Sequence, residues 1–295
     1  MCTREAGMAY VRKDAGMLTK AERRRFVRAL LEVKRRGEYE EFVRMHIEYF
    51  SADGEHGLRA AHMAPSFLPW HRRFLLDLER ALRRVDSSVT VPYWDWTRDR
   101  TTTSAPWTAD LLGGNGRRSD HQVTTGPFAH REGNWTITTG VTDLQFLTRD
   151  LGRRRARIDL PTKGELEWAL KDPVYDMAPW NSTVPRGFRN KLEGWGGGRG
   201  ATSWHNHNRV HRWIGGTILG GASVNDPVFW LHHAFVDLQW HRWQLRHRRA
   251  RYLPATPPGQ DDEQYARIVA RHQTLPPWDV TPDELEDVSH IYRYA

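Results

Sequence analysis

Apolar positions recur at helical spacing through the first ninety residues. Thr19-Lys20-Ala21-Glu22 places a hydroxyl and a carboxylate three apart, the pattern of a capping box, and Phe26, Leu30, Leu31 and Val33 follow at helical spacing. Gly37 marks the end of that helix. A second helix is predicted over Tyr39–Tyr49, with Phe42, Met45, His46 and Tyr49 toward one face. A third starts at Pro69 and carries Phe74, Leu75, Leu78 and Leu82. From Arg98 to about Leu160 the periodicity fades into Thr, Gly, Ser and Asp, with short strand-like pieces such as Trp135–Thr139. Helical spacing returns over Thr162–Leu170, over Arg186–Leu192, and around His207 and His211. Asn225-Asp226-Pro227 is a helix start, a cap followed by proline in the first turn, and opens a helix running to about Arg249. The proline-rich tail from Tyr252 is predicted to wrap the surface. The pattern predicts a mainly α protein: a central four-helix bundle with long loops and a few short strands. Neither a repeat nor a low-complexity linker splits the chain, so a single domain is expected over 1–295, with 1–17 as a flexible N-terminal extension.

Composition narrows the class. Hydrophobic residues make up 39% and charged residues 27% of 295, which fits a soluble globular protein with a sizeable core. The net charge of +8 resides in arginine runs such as Arg23–Arg25, Arg153–Arg155 and Arg246–Arg251. These are interrupted and scattered, so they read as solvated helix faces, not as a nucleic-acid surface. Cys2 is the one cysteine, which excludes an intrachain disulfide and thiolate metal ligands. No apolar run reaches membrane-spanning length, and residues 1–18 lack the apolar stretch of a secretory signal. The expected location is the cytoplasm, or export only alongside a signal-bearing partner. Met8 and Met17 stand as alternative starts.

Six of the fifteen histidines form two triplets, His46, His62 and His71, and His207, His211 and His233. A single histidine is more often a satisfied core or surface residue than a ligand, and His56, His121, His130, His241, His247, His272 and His290 are read that way. The triplets differ by their context. His207 and His211 stand four apart on one helix face. His62 and His71 bracket the apolar segment Ser66-Phe67-Leu68-Pro69-Trp70, and His233 follows Val228-Phe229-Trp230-Leu231. Imidazoles embedded in aromatic sequence need partners, and one metal ion satisfies several of them. Three neutral nitrogens per ion suit copper, zinc or iron, so two triplets point to a dinuclear metal centre.

Four segments carry a family resemblance. Phe67-Leu68-Pro69-Trp70-His71-Arg72-Arg73, Pro92-Tyr93-Trp94-Asp95-Trp96, His207-Asn208-Arg209-Val210-His211 and Asn225-Asp226-Pro227-Val228-Phe229-Trp230-Leu231-His232-His233 resemble the type-3 copper motifs of tyrosinases. The similarity is closest to the small actinobacterial tyrosinases and o-aminophenol oxidases, and runs from about Leu18 to Tyr292. The resemblance implies that the bundle holds a dinuclear copper site: one copper on His46, His62 and His71, the other on His207, His211 and His233. His232 is then a neighbour of the ligands, and His205 a bystander. It implies O2 as co-substrate and oxidation of o-diphenols or o-aminophenols to quinones or quinone imines, with possible extension to monophenols such as tyrosine, in melanin or phenoxazinone pigment formation. It further implies that Glu193 and Asn208 hold a water that takes the phenolic proton. From spacing alone, Glu193 reads equally well as a surface carboxylate at a helix end. A small copper-delivering caddie protein is the implied partner.

Three departures from the pattern bear on the reaction. The stretch Gly196–Asn206 is longer and richer in glycine than the usual link between the glutamate and the second histidine pair. Ile47 stands where asparagine is common, and Val224 where proline is frequent. They favour the o-aminophenol-oxidising subgroup over efficient monophenol hydroxylation. The competing reading is a haemocyanin-like oxygen carrier without turnover, which would need further chain to cover the site. A dinuclear zinc hydrolase ranks lower, because no carboxylate stands at a motif position to bridge two ions.

Overall fold

The capping box predicted at Thr19 is formed, and the structure adds a second that the sequence reading did not name. Thr19 Oγ1 accepts from the Glu22 amide at 3.2 Å and the Glu22 carboxylate accepts from the Thr19 amide at 2.8 Å. Thr162 and Glu165 repeat the arrangement at the same two distances. Such caps stabilise a helix start by about 1 kcal/mol each. They open α1 (Lys20–Arg35) and α4 (Lys163–Leu170). The computed structural model describes residues 9–51, 54–130, 134–140, 143–195 and 204–295. The other helices are α2 (Glu38–Tyr49), α3 (Phe67–Val85), α5 (Phe188–Glu193), α6 (Asn206–Ile214) and α7 (Val228–Arg246). The fold is mainly α, as the periodicity predicts. Helix α3 starts at Phe67, two residues before Pro69, which sits in the first turn where its missing N–H costs nothing. Helix α7 stops at Arg246, short of Arg249.

Helices α3 and α7 pack against each other, with α1 against α3, α2 against α1, and α6 against α7. Helix α7 buries residues on every side from Val228 to Trp240, as a helix surrounded by protein must. The main core gathers Phe42, Trp70, Phe74, Trp94, Phe229, Trp230 and Phe235.

Two expectations are overturned. Trp135–Thr139 forms no strand: Trp135 is a buried plug whose ring meets Tyr39 and Phe128 edge-on, and its Nε1 donates to the Asn225 carbonyl at 3.0 Å. Residues 9–17 are not a free extension either, while residues 1–8 lie outside the described part. Strand β1 (Tyr10–Arg12) pairs in parallel with β2 (Tyr292–Tyr294) at the far end of the chain. Arg12 is completely buried, with its guanidinium on Glu79 at 2.7 Å and Asp237 at 3.1 Å. The tail does more than wrap the surface, because Leu275, Leu285, Val288 and Tyr292 form a second small core with Leu76 of α3.

Candidate metal centre

Four helices and one loop bring the six candidate histidines together. His46 stands on α2, His71 in the first turns of α3, His207 and His211 on α6, and His233 on α7, while His62 comes from the loop before α3. The available ring nitrogens of His46, His62 and His71 all lie within 4.8 Å of one another, as do those of His207, His211, His232 and His233. The two groups adjoin: the His71 and His233 rings stack at 4.1 Å, and those of His62 and His207 stand 6.1 Å apart. His232, expected as a neighbour, stacks on His207 at 4.9 Å with both ring nitrogens buried and unpartnered.

Hydrogen bonds set which nitrogen of each ring is free. Nδ1 of His46 donates to the Gly221 carbonyl at 2.6 Å, that of His71 to Phe67 at 2.8 Å, and that of His211 to Ile218 at 2.8 Å. A carbonyl only accepts, so each Nδ1 carries the proton and each Nε2 presents its lone pair. Those three Nε2 atoms are buried and have no protein partner, nor do Nδ1 of His62 and of His233. His207 Nδ1 faces Asn208 Oδ1 at 3.0 Å, and its Nε2 lies 3.3 Å from that of His233, close enough for both to meet one cation. Burial drives all six rings toward the neutral form, His46 and His211 down to about 4 and the others further. Each unpartnered buried nitrogen costs roughly 1–3 kcal/mol, a penalty that a bound cation removes. Neutral imidazoles with lone pairs turned inward and no carboxylate in either group fit copper.

Glu193 ends α5 and is fully buried, which overturns the surface reading of this residue. Its Oε1 accepts from the Met63 amide at 2.7 Å, and its Oε2 from Arg189 at 2.9 Å. Its backbone carbonyl lies 3.3 Å from His207 Nδ1, so one residue ties the loop of His62 to α6. Burial raises the Glu193 carboxyl above its usual range against the opposing pull of Arg189. Arg189 also binds Asp176, whose carboxyl burial pushes up to about 6. The periodicity missed Arg189, although its place four residues before Glu193 on one helix face is the available signal. Asn208 borders a cavity of about 310 Å³ that reaches His62, His207 and His211, and its Nδ2 has no protein partner. Of the Gly196–Asn206 stretch, residues 196–203 lie outside the described part. His205 precedes α6 with its ring 3.9 Å from Glu165, away from both groups.

Residues 36–246 match the family described as the common central domain of tyrosinase. The chain is 50% identical over 287 residues to a tyrosinase of Streptomyces antibioticus, covering 96% of this chain and 98% of that protein. It is 41% identical over 317 residues to the grixazone synthase of Streptomyces griseus, covering 97% and 99%. A functional unit of octopus hemocyanin superposes with a TM-score of 0.58 at 21% identity over 97% of this chain and 68% of that one, a likeness of fold alone.

Proposed function

The chain belongs to the tyrosinase family, and from that premise we propose that it is a copper phenol oxidase acting on o-diphenols and o-aminophenols. His46, His62 and His71 hold one copper ion, and His207, His211 and His233 the other. One observation carries this reading: six buried imidazoles in two groups, of which His46, His71 and His211 give their Nδ1 protons to backbone carbonyls and keep unpartnered Nε2 lone pairs. Copper bound there supplies the redox capacity that passes electrons from a phenol to O2. The backbone carbonyls of Gly221, Phe67 and Ile218 hold ring orientation before any ion arrives, which lowers the cost of ordering the ligands.

Glu193 and Asn208 are the candidates for handling the phenolic proton. By the resemblance of the motifs, Asn208 and Glu193 hold a water that takes this proton, and the Asn208 Nδ2 has no protein partner to compete for it. Arg189 stabilises the ionised carboxylate that a base requires, while the Met63 amide occupies one of its oxygens. Catechols and o-aminophenols give up protons and electrons with less help than monophenols, so the carboxylate matters most for tyrosine. A small copper-delivering partner protein completes the reading, by the resemblance of the motifs. No helix among the described residues is long and apolar enough to cross a membrane.

Oxygen uptake by copper-loaded protein tests this, with tyrosine, its catechol and o-aminophenol compared in the wild type and in Glu193→Gln. Two coppers per chain, turnover of the last two substrates and slower hydroxylation of tyrosine are expected. The variant should lose about 100-fold on tyrosine while catechol turnover stays within about 3-fold. Two bound coppers with reversible O2 binding and no turnover would replace the oxidase with a haemocyanin-like carrier. Failure to bind copper would remove the centre itself.

A further inference from the structure

The long segment after Glu193 has aromatic residues at both of its described ends. Trp195 and Trp204 meet with ring centroids 5.0 Å apart at an angle of 47°, and both border the cavity beside the histidines. The close return of the chain is made possible by Gly194. Its carbonyl accepts from the His205 amide at 3.2 Å, and its φ is +108°. A Cβ at Gly194 would stand 2.3 Å from the His205 carbonyl oxygen, so a side chain there would force the two strands of the segment apart.

Trp204 is held from two further directions. Its backbone carbonyl accepts from Arg209 Nε at 2.6 Å, and Arg209 is itself paired with Glu165 of α4 at 2.5 Å. The guanidinium of Arg212, the residue after His211, lies 4.2 Å from the centre of the Trp204 ring. Arg212 also borders the cavity, as do Phe50 and Leu219. The cavity therefore carries an indole wall, with a cation on its face, in the same enclosure as His62, His207 and His211.

We propose that Trp204, supported by Trp195 and Arg212, selects the substrate of this oxidase, favouring phenols and aminophenols whose ring substituent is planar and conjugated over those with a flexible saturated one. This rests on the oxidase reading for the reaction, though not for the binding. A conjugated substituent lies flat against an indole and loses little rotamer freedom in doing so, whereas a saturated chain of the same length must be frozen to make the same contact. An aromatic contact of this kind corresponds to a preference of about 3- to 10-fold.

A matched pair of acids isolates the effect, because charge and length are nearly constant. Cinnamate and 3-phenylpropionate cannot be oxidised at the ring, and their binding to metal-free and copper-loaded protein is measured by calorimetry. Their 3,4-dihydroxy counterparts are then compared by KM in oxygen uptake. The wild type is expected to prefer the unsaturated member about 3- to 10-fold in both assays. Trp204→Ala should erase the preference and Trp204→Phe should retain most of it. Equal binding of the pair by the wild type overturns the proposal, and so does a preference that survives Trp204→Ala. Should Trp204→Ala fail to fold, Trp204→Leu gives the same test with a smaller cavity. Preference in binding without any turnover would leave the selection standing and sink the oxidase. Turnover of both catechols without preference would do the reverse.

Discussion

Helices α3 and α7 bury polar groups in two regions, and the two are finished differently. One is the histidine chamber, built from His71 on α3 and His233 on α7 with the rings that surround them. The other adjoins it on the same helices, where Arg72 of α3 meets Asp237 of α7 and Arg12 joins Asp237 to Glu79 of α3. In that ion network the groups find each other. Asp237 accepts from Arg72 at 2.6 Å, from Arg12 at 3.1 Å, and from the hydroxyls of Tyr292 and Tyr294 at 2.5 Å each. Glu79 accepts from Arg12, from the Tyr10 hydroxyl at 2.6 Å and from the Val91 amide at 2.9 Å. In the chamber His46, His71 and His211 are bonded through Nδ1 and open at Nε2, while Nδ1 of His62 and of His233 and both nitrogens of His232 have no protein partner. Buried polar groups that satisfy one another fasten a fold, and here they fasten both chain ends to its centre. Buried polar groups with one side left open are costly to a protein that never binds anything there.

The contrast breaks most visibly when one ligand is removed. His71→Leu replaces an imidazole with an apolar side chain of similar bulk. The expected result is the loss of one copper per chain by metal analysis and a fall in catechol oxidation of about three orders of magnitude. Unfolding of the metal-free variant by urea should occur at the same concentration as for the wild type, or higher, because the change removes an unpartnered nitrogen. A marked drop in metal-free stability would mean that the chamber is also a structural element, and the comparison would fail. Asp237→Asn probes the other region in the opposite sense. It leaves Arg72 without its carboxylate and should cost about 3 kcal/mol in urea unfolding, with two coppers still bound. Loss of copper from this variant would show that the two regions are one.

The sequence already displays much of this chamber. The capping box at Thr19, the i,i+4 pair His207/His211 and the aromatic runs before His71 and His233 are local signals, and each lies at the predicted helix. What it withholds is long-range. Nothing near Tyr10–Arg12 indicates that the strand will pair with Tyr292–Tyr294, because a parallel pairing of chain ends leaves no turn signature between them. The arginine runs draw the eye to solvated faces, while Arg12, Arg72, Arg149 and Arg189 stand outside them and are all fully buried on carboxylates from distant segments or a neighbouring turn. The carbonyls of Gly221 and Ile218 that orient His46 and His211 are equally invisible, since a backbone acceptor has no residue type. Trp135–Thr139 misled because alternation of apolar residues predicts a strand only where a partner strand is at hand.

The finest test of the comparison is in the pH dependence of stability. Burial lowers the chamber histidines, His46 and His211 to about 4, while the unfolded chain titrates them near 6.5. Below that pH the unfolded state binds more protons, so the stability these rings contribute is complete above about 6.5 and is lost as the pH falls toward 4. Each ring gives a slope of about 1.4 kcal/mol per pH unit in that window. Asp237 behaves otherwise. Burial alone would raise its carboxyl, but Arg72 and Arg12 hold it below the usual value, so its contribution persists until the pH falls through about 4 and beyond. Metal-free protein should therefore begin to lose stability between pH 6.5 and 4, with the ion network still charged. Bound copper occupies the same nitrogens that protons would take, so loading should move the acid midpoint to lower pH. Circular dichroism along a pH titration, with and without copper, reads both midpoints. Coincident midpoints would mean that the histidines are not what acid attacks first, and that the partnered network, not the open chamber, sets the limit of the fold.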